Sequence, residues 1–160
     1  MKRYFGLLFC VTMSLIILAG CGSSSNSPKG TDWEPTIYET VNNLDGVTIS
    51  VEEGTVSSTG LTVIFENNSD KQCIYGEYFM LEKKIEDRWY QVPVALDGNY
   101  GFNDIGYDLE PTDVREWTVD WDWLYGSLDI GDYRIVKEIL DFREAGDFDK
   151  YHLIAEFTID

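Results

Sequence analysis

Apolar residues recur at every second position from Gly46 almost to the last residue, and so long an alternation commits a chain to strands with one buried face. Val47, Ile49 and Val51 alternate with Thr48, Ser50 and Glu52. Leu61, Val63 and Phe65 repeat the pattern before Asn67-Asn68-Ser69-Asp70 turns the chain. A longer run covers Gln72 to Lys84, and Trp89 to Val92 answers it across Glu86-Asp87 as a hairpin. Beyond Pro93, Asp97 to Asp104 sets turn formers around two aromatics and reads as a loop. Further strands are expected at Ile105 to Leu109, Arg115 to Trp121, Asp132 to Leu140 and Tyr151 to Ile159. Helix is compatible only with a turn at 121–125 and a short stretch at 139–145. Seven to eight short strands predict an all-β sandwich of two antiparallel sheets.

The segment Asp129-Ile130-Gly131-Asp132-Tyr133-Arg134-Ile135 sharpens that expectation. In immunoglobulin domains a Tyr at the start of a late strand packs into the sheet corner and bonds its hydroxyl back to upstream backbone, and the residue two further on faces the core. Tyr133 and Gly131 are therefore the expected structural corner, Gly131 because glycine accepts a positive φ without steric cost. Ile135 stands where antibody domains carry a Cys, so the fold expected is an immunoglobulin-like sandwich without a disulfide.

Together with Tyr75-Gly76-Glu77-Tyr78, Leu81-Glu82-Lys83 and Trp89, the run from Trp123 to Lys137 resembles the bacterial immunoglobulin-like domains of exported Gram-positive proteins and lipoproteins. The resemblance covers about Gly46 to Ile159. It implies a β-sandwich in an extracytoplasmic setting and carries no general catalytic residues.

The N-terminus reads as an address. Met1-Lys2-Arg3 is cationic, and Tyr4 to Leu18 is apolar apart from Thr12 and Ser14, the layout of a secretory signal. The apolar run is short for a span of about 20 residues. Leu18-Ala19-Gly20-Cys21 resembles the bacterial lipoprotein signal, which implies cleavage before Cys21 and diacylglycerol on its sulfur. Two acyl chains anchor stably where one is marginal. The expected organisation is a signal peptide at 1–20, the lipidated Cys and a flexible tether at 21–44, and the sandwich at 45–160. A coil of about 20 residues reaches on the order of 25 Å, which holds the domain off the membrane.

With Cys10 in the signal and Cys21 lipidated, Cys73 is the one thiol of the folded part, and its run Cys73-Ile74-Tyr75 suggests a buried small hydrophobe. The formal net charge of −17 disfavours nucleic acid, whose phosphates must meet clustered cations. An aromatic fraction of 14% argues for a real core over an acidic disordered tail.

Catalytic chemistry finds little footing. His152 is the only histidine and sits in the last alternating strand, so a Ser-His-Asp arrangement and His-rich metal sites are disfavoured. Oxygen ligands for calcium occur at Asp97, Asn99, Asn103, Asp104 and Asp108, and in the pairs Asp120 with Asp122 and Asp147 with Asp149. None follows the D-x-[DN]-x-[DN]-G pattern, so solvated turns are expected. A sandwich this small seldom supplies the cleft a glycosidase needs. No catalytic residue, metal or cofactor is assigned.

Trp117, Trp121, Trp123 and Tyr125 fall close together, and alternation buries only one side of such a run. Plugging the open end of the sandwich is the plainer reading. Trp121, Trp123 and Tyr125 are otherwise the candidate binding surface for a peptide, glycan or partner domain. The leading expectation is a non-enzymatic surface module, held to the membrane by Cys21, that binds or supports an envelope protein or cell-wall glycan. The alternative is an inhibitor that presents the loop at 97–104 to an exported protease or other envelope enzyme.

Overall fold

A computed structural model describes residues 32–160. The signal peptide, Cys21 and the first part of the expected tether, up to residue 31, lie outside the described residues. The strands are β1 (Val47–Val51), β2 (Gly60–Asn67), β3 (Cys73–Ile85), β4 (Arg88–Gln91), β5 (Gly106–Leu109), β6 (Val114–Asp120), β7 (Gly131–Glu144) and β8 (Asp147–Ile159), with one helical turn, α1 (Asp122–Tyr125). They form two antiparallel sheets, one ordered β1-β2-β6 and the other β4-β3-β7-β8, with β5 on the same edge of β3 as β4. No disulfide is present among these residues; Cys73 is a free, buried thiol.

The alternation of the sequence becomes the core. Val47, Ile49, Leu61, Val63, Phe65 and Val119 line the smaller sheet. Leu81, Tyr133, Ile135, Ile139, Leu153, Ala155 and Phe157 face them from the larger. Glu86 and Asp87, with φ of 49° and 60°, give the β3–β4 hairpin its two-residue turn, whose twist matches that of the strands. Gly60 is required by close approach, since a Cβ there would lie 2.4 Å from the Val119 carbonyl oxygen of β6.

Three features depart from the sequence reading. Residues 139–145 are not helical: β7 continues to Glu144 and pairs with β8 from Asp147 onward. The ends of this hairpin stand away from the core, so most of 143–150 is exposed and no alternation marks it as strand. Second, β3 is bulged between Tyr75 and Phe79, where pairing with β7 is interrupted. Third, residues 34–42, placed in the tether by the sequence, are bonded to the sandwich. The Gln91 and Thr36 amides donate to the Glu34 and Trp89 carbonyls, at 2.8 and 3.0 Å, which fixes the segment on β4. At the opposite edge the Asn42 amide donates to the His152 carbonyl at 2.8 Å, and the Ile154 amide to Asn42 Oδ1 at 2.8 Å. The segment thus straps the outer face of the larger sheet and gives polar partners to edge strand β8, which would otherwise offer open backbone.

At the corner the Tyr133 hydroxyl donates to the Asp129 carbonyl at 2.8 Å, and the ring stacks on Phe157 with centroids 5.7 Å apart. Gly131 takes a φ of 154° there. Tyr133→Phe should cost about 0.5–1.5 kcal/mol of unfolding free energy, the net value of one such bond. Urea titration of the two proteins measures it.

Candidate functional site

The bulge in β3 decides where the exposed chemistry lies. The bulge adds two residues to β3 relative to β7, which keeps the period of two: Phe79 stays in phase with Tyr75 and points into the core, and Tyr78 stands 43% exposed. Next to the bulge, the segment between β4 and β5 leaves the sheet and returns, because β3 pairs with β4 at one end and β5 at the other with a gap between. The Ala95 and Leu96 amides donate to the Leu124 carbonyl of α1, at 2.9 and 3.3 Å, and this ties the segment to the helical turn.

Phe102 is the keystone of what results. Its ring meets Tyr78 at 5.3 Å, Phe79 at 5.4 Å, Trp123 at 5.6 Å and Tyr100 at 6.4 Å between centroids, all near edge-to-face. Such geometry suits the quadrupoles of the rings. Tyr100 is 48% and Trp123 45% exposed, and the Trp123 indole is held by a 3.0 Å bond to the Asp120 carbonyl. The result is a continuous aromatic face, half in water, across the β3 bulge, the loop and α1.

The sequence candidates divide accordingly. Trp121 is fully buried, stacked on Phe157 at 5.5 Å, and its indole donates to the Ser58 carbonyl at 3.0 Å. Tyr125 is buried against Phe79. These two are plugs, because strand β6 carries Trp121 inward in phase with Val119 and α1 folds Tyr125 back over the core. Of the three proposed binding residues, only Trp123 presents a surface. Tyr100 and Phe102 lie in the loop at 97–104 that the sequence offers as a presented element, whereas the sequence reading does not single out Tyr78 as a surface residue. The signal for Tyr100 and Phe102 is two aromatics in a Gly/Asn loop with no strand to bury them, and Tyr78 is marked by plain alternation, in the outward phase of β3 beside inward Phe79.

Charged groups inside the sandwich were missed as well. Lys137 is fully buried in phase with Tyr133 and Ile135. Its ammonium donates to the carbonyls of Gly76 and Tyr78 at the bulge and lies 3.6 Å from the centroid of Trp117. Burial pushes its pKa down to about 7, against the pull of Glu77. Glu77 in turn accepts a hydrogen bond from the Tyr107 hydroxyl.

Under the strap, Arg134 Nε donates to Glu82 Oε2 at 2.6 Å, both groups being buried. The guanidinium also reaches Thr36 Oγ1 at 3.1 Å and sits 4.6 Å from the centroid of Trp89.

The remaining candidates carry no reactive geometry. Burial pushes the Cys73 thiol up to about 11, which keeps it a thiol and a poor nucleophile at neutral pH. His152 packs its ring on Tyr38 of the strap at 4.7 Å between centroids. Among the described residues no three His, Cys, Asp or Glu side chains are grouped to hold a metal ion.

Two sheets ordered in this way, a tyrosine bonded across its corner and an apolar residue two positions later define an immunoglobulin-like sandwich. The family model for the bacterial Ig-like domain matches residues 43–158, and the chain belongs to that family. Comparisons with curated proteins and with solved structures return no match.

Proposed function

We propose that the chain is a lipid-anchored, extracytoplasmic binding module that engages its partner through the aromatic face centred on Phe102. The observation that carries this is the cluster of half-exposed Tyr78, Tyr100 and Trp123 rings, each braced by Phe102. Rigid aromatic rings offer large contact area at little entropic cost, which is why they dominate binding hot spots. Membership of the bacterial Ig-like family supports a module that binds or supports, without chemistry of its own. The anchor reading draws on Leu18-Ala19-Gly20-Cys21.

Two experiments test the two halves. Crosslinking on intact cells should capture an envelope partner with the native chain and lose it with Tyr100→Ala/Trp123→Ala; undiminished capture would refute the aromatic face. Cells fed a labelled fatty acid should label the native protein and not Cys21→Ser, and the native protein alone should partition into detergent. An unlabelled native protein would refute the anchor.

The same face admits a second reading, in which the loop at 97–104 blocks an exported hydrolase. It is favoured by the way Phe102 and the Leu124 carbonyl brace this loop at both ends, as an inhibitory segment requires. A hydrolase among the crosslinked partners, inhibited by the purified protein, would select it.

A further inference from the structure

The aromatic face has a charge pattern that names its ligand class, an inference that rests on the binding reading above. Three clefts meet at Phe102. The first, of about 250 Å³, is walled by Trp33, Tyr78, Pro93 and Tyr100, and its only charged residues are Asp32 and Glu34. The second, of about 440 Å³, has Glu77, Asp104 and Glu138. The third, of about 150 Å³, has Glu77 and Asp120 beside Trp123. No lysine or arginine lines any of them.

Of the carboxylates in the second and third clefts, Glu138 is paired with Lys150 at 3.0 Å and Glu77 accepts the Tyr107 hydroxyl, which leaves Asp104 and Asp120 to meet an incoming cation. Away from the clefts Lys71 pairs with Asp141, Arg115 with Asp113, and Arg143 with Asp147 and Asp149. The chain also shows how it holds a cation, since Lys137 rests on Trp117 and Arg134 on Trp89. We infer that the face takes an arginine-bearing, otherwise apolar peptide segment of a partner protein. A guanidinium stacks flat on a Tyr or Trp face, is drawn by the ring quadrupole and pairs with carboxylates at the rim. Anionic ligands meet repulsion there. Three open clefts around one ring suit an extended segment better than a single small molecule, with apolar side chains lying on the rings between cations.

The test uses the mature, lipidated protein in neutral detergent and three probes: an end-blocked Leu-Arg-Leu-Arg-Leu peptide, its citrulline counterpart and an N-acetylglucosamine oligomer. Calorimetric titration should show saturable binding of the arginine peptide and about ten-fold weaker binding of the uncharged isostere. Tyr100→Ala/Trp123→Ala, which leaves the net charge untouched, should weaken the arginine peptide about ten-fold. Asp104→Asn/Asp120→Asn should weaken it several-fold, and Glu66→Gln/Asp70→Asn, at the end of β2 and in the turn that follows it, should not. Equal binding by the ring variant would reduce the effect to diffuse charge attraction and overturn the inference. Citrulline peptide or glycan binding that matches or exceeds the arginine peptide, and is lost in the ring variant, would overturn the cationic class and leave the binding face standing. Binding of no probe would overturn the cationic class, and cell-surface capture indifferent to the ring variant would remove the binding face as well.

Discussion

Arg134→Met should lower the unfolding free energy by roughly 3–5 kcal/mol, because it strands the carboxylate of Glu82 in a place water does not reach. In the native protein Glu82 Oε2 is held by Arg134 Nε at 2.6 Å, whereas Oε1 has no hydrogen-bond partner among the described residues. The pair already lacks one of the bonds that would offset its desolvation. Replacing both members by methionine should therefore recover most of the loss, since a well-packed apolar pair of similar volume is often as stable as the ion pair it replaces. Urea titration of the two single variants and the double variant measures the coupling. Equal destabilisation by the double variant and by Arg134→Met would mean that the guanidinium acts through Thr36 and Trp89, and not through the charge of Glu82.

The second large effect is a rise of stability with pH above neutrality. With a native pKa of about 7, Lys137 releases its proton in the folded protein well before it does so in the unfolded chain, where the ordinary value of 10.5 applies. Below pH 7 both states carry the proton, and the folded state bears the full penalty of the buried charge. Between these values the unfolded state binds more protons, so stability climbs with pH, by about 2 kcal/mol from pH 7 to 9. The side chains facing the ammonium are Glu77, Tyr75 and Trp117, and the charge of Glu77 resists this deprotonation. At higher pH the balance turns. Cys73, up to about 11, and the buried tyrosines Tyr75 and Tyr125, also raised by desolvation, keep protons that the unfolded chain gives up. A stability maximum near pH 9 is expected for the native chain, from urea midpoints across pH 6 to 11. Lys137→Met should flatten the rising limb. A native profile with no rise between pH 7 and 9 would show that the Gly76 and Tyr78 carbonyls and the Trp117 ring hold the ammonium charged despite its burial.

Both effects come from charged residues at buried strand positions, and they mark the limit of what alternation conveys. The phase of β7 is plain in the order Tyr133, Ile135, Lys137, Ile139, so an inward Lys137 follows from register alone. Its partners do not, because the two carbonyls that receive it are exposed by a bulge in β3, more than 50 residues upstream. Arg134 reads as a solvent-facing residue on the same logic. It is buried only because the strap crosses above it, and the strap's polar composition resembles the tether that precedes it. Likewise Trp121 and Trp123 look alike in sequence. Two residues of helical turn separate the first, carried inward by β6, from the second, turned out toward Phe102.

The amino-acid order alone determined that this chain makes an antiparallel sandwich with a tyrosine corner and no disulfide, since those depend on local period, turn chemistry and a count of cysteines. Only the tertiary structure decided which aromatic rings meet water, which charges lose it and where the polar segment before β1 comes to rest. Those outcomes hang on a bulge, a strap and a loop that bring distant residues together, and contacts across such separations leave no period in the residues that make them.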